Sequence, residues 1–273
     1  MDSIFQKYGH PKGADVWIMK LTVVIPCYNE KNNIPLVLER FAEVIGKRDI
    51  EVIIVDNGST DGSENVIKEL VPRYSFAKTI RIDVNQGYGY GILRGLEAAS
   101  GDVIGWTHAD MQTDPKDVVR VYKIYNKLGT MNAYVKGTRK GRPFSDNVFT
   151  VGMSLFETAY FCTPLYDINA QPNFFPRWFY KKWKNPPYDF ALDVYALYMS
   201  HKEKLRVVRF PVRFPKRIYG KSSWNDGLKA KIKMIKRTIS FSREMKHSEE
   251  IGMSKKERSN LEQRIRHRRY TRR

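Results

Sequence analysis

The chain has 273 residues, with 48 Lys and Arg against 29 Asp and Glu, for a net charge of +19. That length supports one large domain with a sizeable core, and 42% hydrophobic residues is too apolar for a disordered chain. No uninterrupted run of about 18 apolar residues exists to cross a bilayer, and two cysteines, Cys27 and Cys162, cannot build a disulfide framework.

Along the first 140 residues, short apolar runs alternate with helical spacing. Residues 21–26 (LTVVIP), 51–56 (EVIIVD), 79–84 (TIRIDV) and 102–107 (DVIGWT) read as β-branched strands buried on both faces. Residues 34–45, 63–70 and 90–99 place apolar side chains at helical intervals, and Asp61 offers an N-cap signal for the second helix. This alternation predicts an α/β fold: a parallel sheet covered by helices on both faces. Such sheets bind ligands beyond the carboxyl ends of their strands.

After a short run at 134–137, residues 148–161 read as an aromatic-rich amphipathic helix, interrupted for membrane spanning by Glu157. Residues 172–187 are Pro-rich and aromatic, and read as a loop or short strand. Residues 189–200 read as a helix and 205–210 as a strand. In residues 226–247, Leu228, Ile232, Ile235, Ile239 and Met245 share one helical face, surrounded by lysines and arginines. The charge gathers there. Residues 1–200 carry 24 − 22 = +2, and residues 201–273 carry 24 − 7 = +17. The division expected is a lead (1–20), a domain (21–224) and a basic helical tail (225–273) that meets something anionic.

Four polar motifs follow the strands. In VIPCYNE, Pro26 ends the strand, Tyr28 offers a ring for stacking on a base, and Glu30 can accept from ribose hydroxyls. In VDNGSTDG, Asp56 can accept from the N–H edge of uracil or guanine, while Asn57 helps form a tight turn. In NQGYGYG, Gly87, Gly89 and Gly91 let the backbone approach a ligand and expose N–H groups at a helix start. In THADMQTDP, Asp110 and Gln112, one residue apart and so on the same side of an extended stretch, present hard oxygens suited to Mg²⁺ or Mn²⁺, with capping of the following helix by Asp114 or Asp110 as the plain alternative. Neither G-x-G-x-x-G nor G-x-x-x-x-G-K-[ST] occurs, which argues against a dinucleotide or P-loop enzyme.

Together with GTR at 137–139 and RIYGKSS at 217–223, these motifs resemble glycosyltransferase family 2, most closely its dolichyl-phosphate mannose synthase-like branch. The resemblance implies a GT-A fold and an inverting transfer of sugar from a nucleoside diphosphate sugar, assisted by a divalent metal. It implies that Pro26, Tyr28, Glu30 and Asp56 line the nucleoside pocket and that Asp110 and Gln112 hold the metal. Arg139 would meet a phosphate, and Arg217 and Ser222 would belong to a closing loop. His108 replaces the first carboxylate of the Asp-x-Asp motif, beside Ala109, and brings no negative charge when neutral. DINAQPNFF at 167–175 departs from the branch's pattern on the acceptor side.

Two acceptor classes make different demands. A polyprenyl phosphate is already ionised, whereas a glycan hydroxyl needs a general base. Asp189 and Asp193, four apart on a helix, are candidates for that base, with capping and structural pairing as the alternatives. The basic tail is expected to lie on an anionic membrane surface, with a helix packed on the domain as the alternative. The expected setting is cytoplasmic and peripherally membrane-associated. A nucleic-acid-binding protein is the rival class, prompted by RIRHRRYTRR at 264–273, although no recognised nucleic-acid module accompanies it.

Overall fold

The computed structural model describes residues 19–141, 144–215, 217–219, 236 and 238–246, with the backbone alone at 144–149. Strands β1 (Leu21–Cys27), β2 (Ile50–Asn57), β3 (Ala77–Ile82) and β4 (Val103–Trp106) alternate with helices α1 (Ile34–Ile45), α2 (Ser63–Leu70) and α3 (Tyr88–Ala98). Then come α4 (Lys116–Leu128), β5 (Ala133–Lys140), α5 (Phe144–Phe161), β6 (Asn173–Pro176), α6 (Arg177–Lys181), α7 (Ala191–Lys202) and β7 (Arg206–Arg213). They build one seven-stranded sheet in the order β3-β2-β1-β4-β6-β5-β7. Only β6 runs against its neighbours, β4 and β5. The α/β expectation holds, and the sheet is mostly parallel.

Side chains alternate across the sheet and divide the core in two. Val52 and Ile54 pack toward Phe41, Val121 and Tyr125 of α1 and α4. Ile53 and Val55 pack toward Ile92, Leu96 and Leu197 of α3 and α7. Helix α1 forms because Ile34, Val37, Leu38, Phe41 and Ile45 share the face that the sheet buries. Helix α4 starts where Asp114 accepts from the Lys116 amide at 2.9 Å and stops at Gly129, in the left-handed conformation.

Several boundaries differ from the pattern reading. Strand β3 lies at the sheet edge and is largely exposed, so it is not buried on both faces. Helix α3 begins two residues earlier than expected and α5 four residues earlier. The segment read as a loop or short strand holds the short strand β6 and also helix α6, which was not expected, because Phe174, Phe175 and Phe179 are fully buried. The tail expectation changes most. Residues 238–246 are helical where described, and Met245, assigned above to a lipid-facing stripe, is buried in the core with Phe161 and Tyr198. The Ser242 hydroxyl hydrogen-bonds with the buried Glu157 of α5, and Lys246 donates to the Tyr160 carbonyl at 3.2 Å. This part of the tail packs on the domain; residues 1–18 and most of 225–273 lie outside the described residues.

Candidate functional site

Chain order places β2 and β3 on one side of β1 and β4 on the other, so a crevice opens between the tips of β1 and β4. The loop after β1 is laced to the loop after β2. The Asn29 Oδ1 accepts from the Thr60 amide at 2.8 Å, and the Glu30 amide donates to the Ser63 hydroxyl at 3.0 Å. Asp61 accepts from the Ser63 amide at 2.9 Å, close to its expected capping role. These bonds hold Glu30 facing the β4 tip.

Across the crevice, Asp110 is buried. Its Oδ1 accepts from the Gln112 amide at 3.0 Å, so residues 110–112 form a turn rather than the extended stretch expected. Met111 takes a positive φ of 57° within it. The Arg217 guanidinium then joins the two sides. Its Nη2 lies 2.9 Å from Asp110 Oδ2 and its Nη1 3.7 Å from Glu30 Oε1. Its Nε donates to Gln112 Oε1 at 3.3 Å, while Gln112 Nε2 donates to the Pro215 carbonyl at 2.9 Å. Burial raises the Glu30 pKa; Asn33 opposes this, Asp110 adds to it and Arg217 opposes it.

His108 is half-buried beside Asp110, and desolvation pushes its pKa below the ordinary imidazole value despite the neighbouring carboxylate. It is therefore neutral near pH 7. Its ring centroid lies 6.4 Å from that of Tyr88, and Ala109 behind it is buried. Tyr28 stands 46% exposed at the mouth of the crevice, available for stacking, with Pro26 half-buried beneath the loop.

The remaining expected residues meet partners within the chain. Asp56 accepts from the Ser59 amide at 3.0 Å and pairs with Arg81 of β3, so its carboxylate already has a cation. Asn57 donates to the Gly87 carbonyl at 2.9 Å and thereby fixes the glycine loop. A Cβ at Gly87 would fall 2.6 Å from the Tyr188 carbonyl oxygen, and one at Gly89 would meet three backbone atoms of residues 187–189 within 2.8 Å. The glycines at 87 and 89 thus admit that segment, which corrects the reading that they make room for a ligand. Arg139, expected at a phosphate, is held by Asp167 through Nε at 2.9 Å and Nη2 at 2.5 Å. Its own amide also donates to Asp167, at 2.9 Å.

The two candidate bases separate. Asp189 accepts from the Ala191 amide at 3.0 Å and caps α7. Asp193 is buried, accepting from Gln171 Nε2 at 3.1 Å and Asn173 Nδ2 at 3.2 Å. Desolvation raises its pKa to about 6 against the opposing effect of Lys136. Sequence reasoning missed this network. Lys136 is fully buried and donates to the Ile168 and Ala170 carbonyls, each at 2.6 Å, and to Asn173 Oδ1 at 2.8 Å. Burial lowers its pKa to about 7. Gln171 Nε2 also donates to the Tyr88 hydroxyl at 2.8 Å, linking the network to the wall opposite His108. The available signal was a lysine inside the apolar run AYVKG, which can be buried only with partners.

Among the described residues, no group of three or more His, Cys, Asp and Glu gathers to hold a metal. Asp110 and Gln112 offer two hard oxygens, a set that fits Mg²⁺ or Mn²⁺ when substrate phosphates and water complete the shell. Ser222 lies outside the described residues.

Comparison with known proteins gives the family and the fold. The family described as glycosyl transferase family 2 matches residues 22–191. An undecaprenyl-phosphate 4-deoxy-4-formamido-L-arabinose transferase of Aeromonas hydrophila is 33% identical over 122 residues, 42% of this chain and 37% of that one. A dolichol-phosphate mannosyltransferase of Pyrococcus furiosus is 30% identical over 138 residues, 49% and 39% of the two. The chain thus spans about two-fifths of the length of these curated relatives. Among solved structures, a Pyrobaculum calidifontis mannosyltransferase in complex with GDP-mannose and Mn²⁺ superposes with a TM-score of 0.57 at 22% identity. That match covers 74% of this chain and 59% of the other. Glucosyl-3-phosphoglycerate synthase from Mycobacterium tuberculosis, with Mn²⁺, UDP and phosphoglyceric acid, gives 0.63 at 18%, covering 84% and 82%. The GT-A expectation is borne out by these folds. A family match over 170 of 273 residues (22–191) shows that the chain belongs to glycosyl transferase family 2.

Proposed function

We propose that the protein transfers a sugar, with inversion, from a UDP- or GDP-sugar to a lipid-linked phosphate at a membrane surface. The observation that carries this is the convergence of Glu30 and Asp110 at the β1–β4 switch point, in a family of sugar transferases. Tyr28, exposed at the crevice mouth, would stack on the base, and Glu30 would accept from the ribose. Asp110 and Gln112 would hold a divalent cation, which supplies Lewis-acid neutralisation of the leaving diphosphate when bound. Neutral His108 would hydrogen-bond a sugar or ribose hydroxyl instead of adding a third negative charge. Asp189 is engaged as a cap and Asp193 lies within a buried network. A phosphate nucleophile needs neither as base, and the relatives' names, undecaprenyl-phosphate and dolichol-phosphate, agree with that class.

Peripheral membrane contact is read from α5, where Val151, Leu155 and Phe156 are exposed, together with the +17 of residues 201–273. No described helix is long and apolar enough to cross a membrane. The pathway read here is cell-surface glycan or glycolipid assembly. The test is a panel of UDP- and GDP-sugars with Mn²⁺ or Mg²⁺. One nucleotide series is expected to raise the melting temperature only with metal, and Asp110→Ala to abolish both that rise and transfer of radiolabelled sugar. Full turnover by Asp110→Ala would refute the assignment.

A further inference from the structure

Among the described residues Arg217 has three oxygen partners, and all of them belong to the crevice: Asp110 at 2.9 Å, Glu30 at 3.7 Å and Gln112 at 3.3 Å. Two of these are the oxygens assigned above to the divalent cation. A guanidinium and a metal ion cannot both occupy them. The arginine side chain is only 25% exposed, so its charge sits in a screened position where exchange of partners matters energetically. Without it, Glu30 and Asp110 would face each other as like charges, and Asp110 already pushes the Glu30 pKa upward.

We infer that Arg217 is a resident counter-ion, exchanged from Asp110, Glu30 and Gln112 to the donor's diphosphate, so that cation and nucleotide bind as a coupled pair. This rests on the donor-site reading above. The cation alone must evict the arginine from its carboxylates at a cost. When nucleotide arrives with the cation, the released guanidinium gains a phosphate, for which its planar fork is suited. Coupling of this kind is reciprocal: each ligand raises the other's affinity by the same factor.

Isothermal titration of the full chain with Mn²⁺ alone, with UDP or GDP alone, and with both reads this directly. In the unaltered protein, Mn²⁺ alone is expected to bind weakly, and about ten-fold more tightly once nucleotide is present. Arg217→Ala is expected to bind Mn²⁺ alone about ten-fold more tightly than the unaltered protein, with the coupling reduced to what the shared diphosphate oxygens contribute. Arg217→Lys, which keeps the charge without the fork, should fall between and guards against misfolding of the alanine variant. Equal affinity for Mn²⁺ alone in all three proteins would overturn the exchange. Failure of the unaltered protein to bind Mn²⁺ even with either nucleotide would instead overturn the donor-site reading itself.

Discussion

Glu157 carries two carboxylate oxygens with no exposure, and both face one hydroxyl, that of Ser242, at 3.1 and 2.9 Å. That hydroxyl has a single hydrogen and also lies 2.9 Å from the Thr238 carbonyl. A protonated Glu157 satisfies the geometry, donating to Ser242 while Ser242 donates to Thr238. Burial accordingly lifts its pKa from 4.5 to about 7. The folded chain therefore holds a proton that the unfolded chain releases above pH 4.5. Stability from this group is fully present below pH 4.5, declines as pH rises, and is gone above about 7. Glu157→Gln is expected to flatten that decline and to add about 2 kcal/mol at pH 8, read by urea unfolding across pH. A second residue-scale expectation concerns Arg139. Asp167→Asn leaves that half-enclosed guanidinium without its carboxylate and should cost about 3 kcal/mol in the same assay. Neither pairing was legible in the sequence. Glu157 and Ser242 are 85 positions apart and Arg139 and Asp167 are 28 apart, and only packing or register brings them together. By contrast, Glu30 and Asp110 were legible, because each immediately follows a strand whose apolar run is unmistakable.

Helices α1 and α2 were legible residue by residue, because their apolar faces match the sheet and a turn residue stands at each start. Strand β6 was not. Only four residues long, it is buried from end to end and followed at once by α6, so its aromatics show neither a two-residue nor a 3.6-residue period. The glycines of α3 were legible as close approaches, but what approaches them was misread. At Gly89 the neighbours are backbone atoms of residues 187–189, which have no flexible end to move aside. Gly89→Ala is expected to destabilise by about 2 kcal/mol through overpacking and to lower the melting temperature by several degrees, seen in calorimetry. Helix α5 offers the complementary case. Val151 and Leu155 are exposed and one turn apart. The double substitution Val151→Asp with Leu155→Asp should leave the melting temperature within about 1 °C while abolishing flotation with anionic liposomes. Deleting the whole tail would be a poorer probe, since Met245 belongs to the core.

At the scale of the molecule, the near-neutral first 200 residues and the +17 carried by residues 201–273 make association salt-dependent. Each basic residue near anionic headgroups contributes on the order of 1 kcal/mol at low salt. Flotation on phosphatidylglycerol vesicles is expected to be strong at 50 mM salt and lost by about 500 mM, with little on phosphatidylcholine. Binding to generic RNA without any response to nucleotide sugars would favour the rival class. The direction of β6 has a consequence of its own. Being reversed, it begins where its neighbours end, so Asn173 stands beside Trp106 at the open end of the sheet. The segment leading from α5 into that point sets none of the pairings among β1, β2 and β3, although its Asp167, Ile168, Ala170 and Gln171 are tied to Arg139, Lys136 and Asp193. Substitutions at its other positions would thus reshape what the open end of the sheet presents while the tips of β1 and β2 kept their places.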